Sequence, residues 1–431
     1  MKSKRWKLLL IGILFIAMNI NFSRISFSDR SGGMSYIICS DAAGYYEYLP
    51  YLFIKKDILH QHYAFPLDNG KTINKYTMGV AVLQLPFFLA AHCIALIFQL
   101  QPTGYSNIYG YGIAFATSFY VFLGLLFMFK LLAKIFDANT AMLSIIILYF
   151  GSNLFYYSTM EPGMSHAYSF FCFSGFLFFL EKLFKQHTPA LCIFVACFLS
   201  FAILIKFTNI FIALLLPLYH VYSWQDLKKR IFGFFEKPRL LFILLLCPLI
   251  FLAPQIYYWY KASDQLVLFS YSYSYVSETF SNWRNPKILE VLFGVQCGWF
   301  PYTPIMIFSI PGLFLTLSGR KFHAPAIVLI FTFVLYACSS WWAYSLKCAF
   351  GFRGFIEYYA LLIIPIACFI NSLAQKKNKK IKILVVFFSV LLIFINIKMS
   401  LFDFSMSWCA PDWTWVDYFG VIKKLVSFNF L

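Results

Sequence analysis

Residues 376–399 read KKNKKIKILVVFFSVLLIFINIKM, which places five lysines within seven positions directly before a long and mainly apolar run. A helix needs about 20 apolar residues to cross the roughly 30 Å hydrocarbon core of a bilayer. Short segments rich in Lys and Arg stay on the cytoplasmic side of a membrane. The stretch therefore predicts a transmembrane helix that begins at the cytoplasmic surface.

The same alternation of basic clusters and apolar stretches recurs along all 431 residues. Hydrophobic residues make up 61% of the chain, charged residues only 12%, and the mean hydropathy is +0.73. A soluble domain carries roughly 25% charged residues, so a soluble enzyme, a disordered protein and a nucleic-acid-binding domain are excluded despite a pI of about 9.3. We predict an all-α polytopic membrane protein, with residues 1–431 forming one integral membrane domain. The apolar stretches lie at 7–22, 77–100, 107–129, 141–157, 166–181, 189–205, 208–223, 240–259, 301–318, 324–341, 358–374 and 383–399.

The basic clusters indicate which of these stretches cross the membrane. If 77–100 does not span, all six clusters lie in the cytoplasm, and the net charge is +16 inside and +2 outside. We therefore predict eleven spans, with the N-terminus inside, the C-terminus outside and 77–100 a re-entrant or interfacial helix on the outer face. Pro86 and His92 within that segment favour this placement. No small-residue cleavage site follows the first apolar stretch, so we predict an uncleaved span there.

This topology leaves two long outer loops, 23–106 with interfacial helices and 260–300. Functional residues concentrate in long loops, so we expect the chemistry on the extracytoplasmic side. The eleven cysteines have irregular spacing and imply no disulfide framework. His60 and His62 are too few for a zinc site, and we predict no metal ligands.

The first outer loop contains the sequence SDAAGYYEYLP at residues 40–50. Tyr45, Tyr48 and Leu49 recur at helical spacing, which predicts an interfacial helix with an aromatic face and with Glu47 on another side. Asp41 stands at the start of that helix. Two roles stay open for Asp41 on position alone: a helix cap and a catalytic carboxylate.

A second carboxylate, Glu161, lies in a short turn between two predicted spans. Pro162 and Gly163 break the chain beside it, and His166 follows. An acid at this depth is costly unless it is paired, hydrated or functional. Glu161 and His166 are therefore either site residues or partners of a neighbouring helix end.

Cations lie near the same predicted membrane surface. Arg353 stands between two glycines and four residues before Glu357, so it suits either phosphate recognition or an ion pair with that carboxylate. Lys75 suits a phosphate contact or an ordinary snorkelling lysine. Arg284 accompanies an aromatic run in the 260–300 loop, which fits a carbohydrate or head-group surface as well as interfacial packing.

The order of these parts resembles the GT-C superfamily of membrane glycosyltransferases, which use polyprenyl-phosphate-linked sugars and include protein O-mannosyltransferases and the lipid A aminoarabinose transferase. Asp41 matches the acid of the first outer loop, and Lys75–Gly79 is similar to a Lys-Pro-Pro-type segment without its prolines. Glu161 matches a second acid after the third span. The remaining likeness lies in FGFR at 350–353 and GWFPYTP at 298–304.

The resemblance implies a bundle of about eleven transmembrane helices with extracytoplasmic juxtamembrane helices, in a bacterial cytoplasmic (inner) membrane. It implies an inverting transferase that moves a hexosyl or pentosyl group from a polyprenyl-phosphate donor to an acceptor hydroxyl. Asp41 and Glu161 are then catalytic, and Lys75 and Arg353 bind the donor phosphate. The implied substrate-binding residues are Tyr45, Tyr46, His166, Glu357 and Arg284.

Several points stay open. Two alanines follow Asp41 where several relatives carry two acids, which disfavours an oligosaccharyltransferase-like metal site, although a divalent cation is not excluded. The acceptor is not defined, while membrane lipid is an expected partner and nucleic acid is not.

The alternatives are a polymerase or ligase of lipid-linked glycans, a lipid or solute transporter, and a structural membrane protein. A transporter would place ionisable residues near mid-span, and the predicted spans carry almost none.

Overall fold

The computed structural model describes residues 2–27, 35–274, 278–319, 323–346, 349–401 and 412–426, and 73% of these residues are helical. The α-helices are Lys2–Phe27, Ser40–Tyr46, Tyr48–Phe53, Gly79–Ile97, Asn107–Leu132, Ala138–Gly151, Leu154–Thr159, Ser165–Gln186, Pro189–Ile205, Leu215–Leu218, Trp224–Phe235, Pro238–Ser263, Ile288–Phe293, Trp299–Tyr302, Ser309–Ser318, Ala324–Ser340, Tyr359–Gln375, Lys379–Leu401 and Trp415–Val426. The 3₁₀-helices are Phe207–Leu214, Ser270–Tyr273, Pro304–Phe308 and Arg353–Phe355.

The only β-structure in the described ranges is a short hairpin in the first outer loop. Its strands, Phe65–Pro66 and Thr72–Ile73, run antiparallel, with Phe65 opposite Ile73 and Pro66 opposite Thr72. Gly70 in the turn has φ of +79°, a conformation that glycine adopts without a steric penalty. The helix predicted around Tyr45, Tyr48 and Leu49 is formed as two short helices, Ser40–Tyr46 and Tyr48–Phe53, and their interfacial placement stays a prediction.

The described helices have the lengths and composition of a multi-pass membrane protein, which confirms the predicted fold class. Every predicted apolar stretch contains helix, and six of the described helices are long and apolar enough to span a bilayer. These six are Trp6–Ile25 within the first helix, Gly79–Ile97, Asn107–Leu132, Ser165–Gln186, Pro238–Ser263 and Lys379–Leu401. The shorter apolar helices are Ala138–Gly151, Pro189–Ile205, Phe207–Leu218, Pro304–Ser318, Ala324–Ser340 and Tyr359–Gln375.

Gly79–Ile97 is the segment that the charge distribution places at the outer interface. It is one continuous helix of 19 residues that runs through Pro86, and its length and composition also suit a span. Its polar side chains have partners within the protein: Gln84 donates to the Tyr168 hydroxyl at 2.9 Å, and His92 Nδ1 lies 2.6 Å from the Tyr109 hydroxyl. The eleven-span topology therefore stays a prediction.

A reporter fused after Leu431 tests this topology. With eleven spans the two termini lie on opposite faces, so we expect active alkaline phosphatase and non-fluorescent GFP in the C-terminal fusions made in bacterial cells. A GFP fusion after Lys377, in the predicted cytoplasmic cluster, serves as the fluorescent control. Fluorescence of the C-terminal GFP fusion would instead mean that Gly79–Ile97 crosses the membrane.

The chain folds into two compact units. The first comprises 1–126, 157–213 and 234–279, and the second comprises 127–156, 214–233 and 280–431. The core of the first unit packs the first outer loop against helices Gly79–Ile97, Asn107–Leu132 and Pro238–Ser263. Its largest buried side chains include Tyr46, Tyr48, Phe88, Tyr109, Tyr258 and Trp259.

In the second unit, the predicted span 141–157 is interrupted. The helix Ala138–Gly151 ends at Ser152, whose backbone is extended. The Asn396 amide donates to the carbonyls of Phe150 and Ser152 at 2.8 and 3.0 Å. An apolar environment demands such partners for carbonyls that leave a helix, which explains how the break is tolerated.

Candidate functional site

The candidate site in the first unit is built around the ring of Tyr76. The Tyr76 hydroxyl donates a 2.6 Å hydrogen bond to Oδ1 of Asp41. Burial, followed by the charge of Asp41, raises the pKa of Tyr76 well above its ordinary value, so the hydroxyl keeps its proton. Cys39 occupies the N-cap of helix Ser40–Tyr46, and Asp41 lies in the first turn. The contact with Tyr76 therefore orients the half-buried Asp41 carboxylate.

Gly44 and Asn74 hold Tyr76 in this position. A Cβ atom at Gly44 would lie 2.4 Å from the Tyr76 ring, so only glycine lets the ring lie against the helix. The Asn74 side chain is fully buried, donates to the Gly44 carbonyl at 2.8 Å, and accepts from the Tyr76 amide at 2.9 Å. A fully satisfied buried amide fixes the geometry of both segments.

Lys75 presents its ammonium group to the same ring. The Nζ atom lies 5.0 Å from the centroid of Tyr76 and 5.9 Å from that of Tyr271. It also pairs with Oε1 of Glu278 at 3.0 Å. The Ser270 hydroxyl donates to the Lys75 carbonyl at 2.7 Å and fixes the backbone. A cation thus lies over the ring of Tyr76, and a carboxylate accepts from the hydroxyl of the same side chain.

The turn that carries Glu161 packs onto the helix of Asp41. A Cβ atom at Gly163 would lie 2.6 Å from the Cβ of Ala42 and 2.9 Å from the carbonyl oxygen of Ile37. Across the turn, Thr117 donates its hydroxyl to the Pro162 carbonyl. Glycine at 163 therefore allows the close approach that brings the half-buried Glu161 towards the first outer loop.

The charges of Glu161 and Asp41 both affect the pKa of the Cys39 thiol. That thiol donates to the Tyr36 carbonyl at 2.8 Å. Partial desolvation raises the pKa of Cys39, and the negative charges of Glu161 and Asp41 raise it further. The structure thus brings Asp41 and Glu161 to one place, although 120 residues of sequence separate them.

The reactivity of Cys39 reports this arrangement independently of enzymatic activity. We expect Glu161→Gln to lower the thiol pKa, because a negative charge beside the thiolate is removed. The pH midpoint of Cys39 alkylation by iodoacetamide should move down, and the rate at pH 8 should rise about two- to threefold. Mass spectrometry of the Cys39 peptide measures this rate separately from that of the exposed Cys93.

Asp57→Asn is the matched control for this experiment. Asp57 is an exposed acid of the same outer loop and pairs with His60 at 2.8 Å. Its replacement by Asn should leave the alkylation profile of Cys39 unchanged. An unaltered midpoint in both Glu161→Gln and Asp41→Asn would show that neither carboxylate faces the thiol.

Three other predicted site residues belong to this unit and are more buried than Asp41 and Glu161: Tyr45, Tyr46 and His166. The Tyr45 ring packs on Tyr76 with centroids 4.3 Å apart, so it adjoins the site. His166 is only 5% exposed and lies edge-on against Tyr157 at 5.1 Å. Tyr46 is 1% exposed and donates its hydroxyl to the Gly104 carbonyl at 2.5 Å. Because it belongs to the core, we do not include Tyr46 among the proposed substrate contacts.

Glu47, which helical spacing places away from the aromatic face, has a fully buried side chain. Its two oxygens accept from the backbone amides of His62 and Tyr63 at 3.0 and 2.7 Å. Burial raises the pKa of Glu47, and these two hydrogen bonds oppose that rise. Glu47 therefore anchors His62 and Tyr63 of the outer loop.

Arg353, Glu357 and Arg284 lie in the second unit. Arg353 is half-buried at the start of Arg353–Phe355. Its positive charge lowers the pKa of Cys297, against the larger effect of burial. Glu357 is fully buried. Arg284 is exposed on the 281–285 turn. The phosphate and substrate roles of these residues stay predictions.

No group of three or more His, Cys, Asp or Glu side chains in the described ranges is arranged to hold a metal ion. The Asp41 carboxylate of the candidate site accepts the hydrogen bond of the Tyr76 hydroxyl.

Comparison with known proteins identifies the fold. Two crystal structures of ArnT from Cupriavidus metallidurans, in the apo state and bound to undecaprenyl phosphate, superpose with TM-scores of 0.55 and 0.54 at 14% and 15% identity. They match 91% and 92% of this chain but only 64% and 65% of their own length. Archaeal oligosaccharyltransferase AglB from Archaeoglobus fulgidus, in complex with an inhibitory peptide and a dolichol-phosphate, gives a TM-score of 0.51 at 13% identity. The match covers 95% of this chain and 56% of AglB.

These neighbours are GT-C superfamily glycosyltransferases, and this chain has their fold. It spans less than two thirds of their length. No protein-family model and no curated protein matches the sequence. The GT-C fold that the sequence motifs resemble is thereby confirmed.

Proposed function

We propose that this protein is an inverting glycosyltransferase that moves a hexosyl or pentosyl group from a polyprenyl-phosphate donor to an acceptor hydroxyl. The observation that carries the proposal is the arrangement of Asp41 and Lys75 against the ring of Tyr76. It is supported by the GT-C fold and by the lipid phosphates bound in the neighbours, undecaprenyl phosphate in ArnT and dolichol-phosphate in AglB.

The reaction is a single displacement. The acceptor hydroxyl oxygen attacks the anomeric carbon, and the bond from that carbon to the phosphate oxygen breaks. The electron pair stays on the phosphate, which leaves as polyprenyl phosphate, while the hydroxyl proton passes to Asp41. One displacement inverts the anomeric centre.

Lys75 stabilises the negative charge that grows on the departing phosphate. Glu161 orients the acceptor hydroxyl or shares the proton transfer with Asp41, because its turn packs beside the same helix. Tyr76 acts as a positioning residue: it holds the carboxylate in place and keeps its own proton.

The proposed site faces the extracytoplasmic side of a bacterial inner membrane, and the N-terminus lies in the cytoplasm. A transferase on that face needs a donor that the bilayer delivers, because nucleotide sugars are not expected there. A lipid-linked donor meets this need: its tail lies among the helices and its phosphate lies at head-group level.

Purified protein in proteoliposomes tests the proposal with a panel of donors. We expect release of free polyprenyl phosphate from polyprenyl-phosphate monosaccharides, by slow hydrolysis without an acceptor and faster with one. Nucleotide sugars should give no product, and the product should show an inverted anomeric configuration by NMR. Turnover of lipid-linked oligosaccharides alone would favour the polymerase or ligase alternative.

A further inference from the structure

The ion pair between Lys75 and Glu278 is not explained by the displacement chemistry. The two side chains are only 20% and 13% exposed, and their charged atoms lie 3.0 Å apart. The cation that would contact the donor phosphate therefore already has an anionic partner within the protein. A phosphate that binds Lys75 must displace this carboxylate or share the cation with it.

Two aromatic rings and a backbone hydrogen bond hold Lys75 in place beside Glu278. The Tyr76 and Tyr271 rings lie near Lys75 Nζ, and they pack edge to face with centroids 6.1 Å apart. Ser270 ties the backbone of Lys75 to the segment that precedes Glu278. Low exposure weakens solvent screening, so a second anion at Lys75 experiences repulsion from Glu278.

Substrate and product differ in their charge at this point. A sugar linked to a lipid through one phosphate is a phosphodiester with a single negative charge. Polyprenyl phosphate, the product, is a phosphomonoester, which carries about −1.5 to −2 at pH 7. A fixed carboxylate beside the cation therefore repels the product more strongly than the donor.

We propose that Glu278 is a specificity-determining residue that competes with bound phosphate for Lys75, favours the monoanionic diester over the monoester, and promotes product release. The inference rests on the proposed function. Glu278 is not a catalytic residue in this scheme, because it acts on the substrate through its competition for Lys75.

The test measures the binding of two lipids with the same polyprenyl chain, polyprenyl monophosphate and its methyl diester, to detergent-solubilised protein at pH 7.5. In Glu278→Gln we expect monophosphate binding to tighten about five- to tenfold, while diester binding, with its smaller charge, tightens only about two- to fourfold. Glu278→Asp keeps the charge and should retain most of the wild-type discrimination. Asp264→Asn, which removes an exposed acid at the end of helix Pro238–Ser263, is the matched control and should behave as wild type.

The two proposals fail in different ways. A ratio of monophosphate to diester affinity that is the same in wild type and Glu278→Gln would overturn the role of Glu278 and leave the transferase intact. If wild type binds neither lipid, the proposed function falls and this inference falls with it. A loss of binding of both lipids in Glu278→Gln, with the aspartate variant equally affected, would also overturn the inference by assigning Glu278 a structural role.

Discussion

Asp41→Asn is expected to lower the rate of sugar transfer by about 10²- to 10⁴-fold, the range associated with loss of a general base. The asparagine amide oxygen can still accept the bond from the Tyr76 hydroxyl, so the fold and the donor KM should change little. The loss should therefore appear in kcat, measured as polyprenyl phosphate released in proteoliposomes.

Asp57→Asn controls for the loss of an acid from the same loop, because Asp57 is exposed and pairs only locally with His60. Its transfer rate should equal that of wild type. Full activity in Asp41→Asn would remove Asp41 from the mechanism.

Lys75→Gln should lower kcat/KM for the donor by about 10²- to 10³-fold, since a preorganised cation at the departing phosphate is lost. Both ground-state binding and leaving-group stabilisation suffer, so KM should rise and kcat should fall. Lys56→Gln removes an exposed lysine of the same loop and should have no effect on either constant.

The double variant Lys75→Gln with Glu278→Gln separates two explanations of that loss. If Lys75 acts on the phosphate, removal of the unpaired Glu278 carboxylate cannot restore transfer, and the double variant stays inactive. Recovery of activity in the double variant would mean that Lys75 only neutralises Glu278.

The fold was predictable because the forces that define it are local in sequence. Apolar stretches and basic clusters indicated the helices to within a few residues in most cases, as for 358–374 against Tyr359–Gln375. The prediction was less accurate where tertiary contacts decide the backbone. The stretch 141–157 breaks at Ser152 because Asn396, 244 residues away, supplies the missing hydrogen bonds.

For the candidate site, the sequence allowed us to predict only which chemical groups take part. Carboxylates and cations at the outer loops could be named from residue type and position, but their partners could not. Tyr76 contacts Asp41, which is 35 residues away in sequence, and Lys75 contacts Glu278, which is 203 residues away. Neither contact produces a periodic pattern in the sequence. The burial of Glu47 could not be predicted for a related reason, because helical spacing cannot reveal that residues 62 and 63 fold over it.

Mapping the donor phosphate within the protein tests the account most directly. A polyprenyl-phosphate sugar with a photoreactive group beside the phosphate, irradiated with the reconstituted protein, should label peptides that contain residues 74–78 and 270–274. An excess of unlabelled polyprenyl phosphate should abolish this labelling. Specific, competed labelling confined to the predicted cytoplasmic segments, such as 224–239, would contradict an outward-facing site at Lys75 and Asp41.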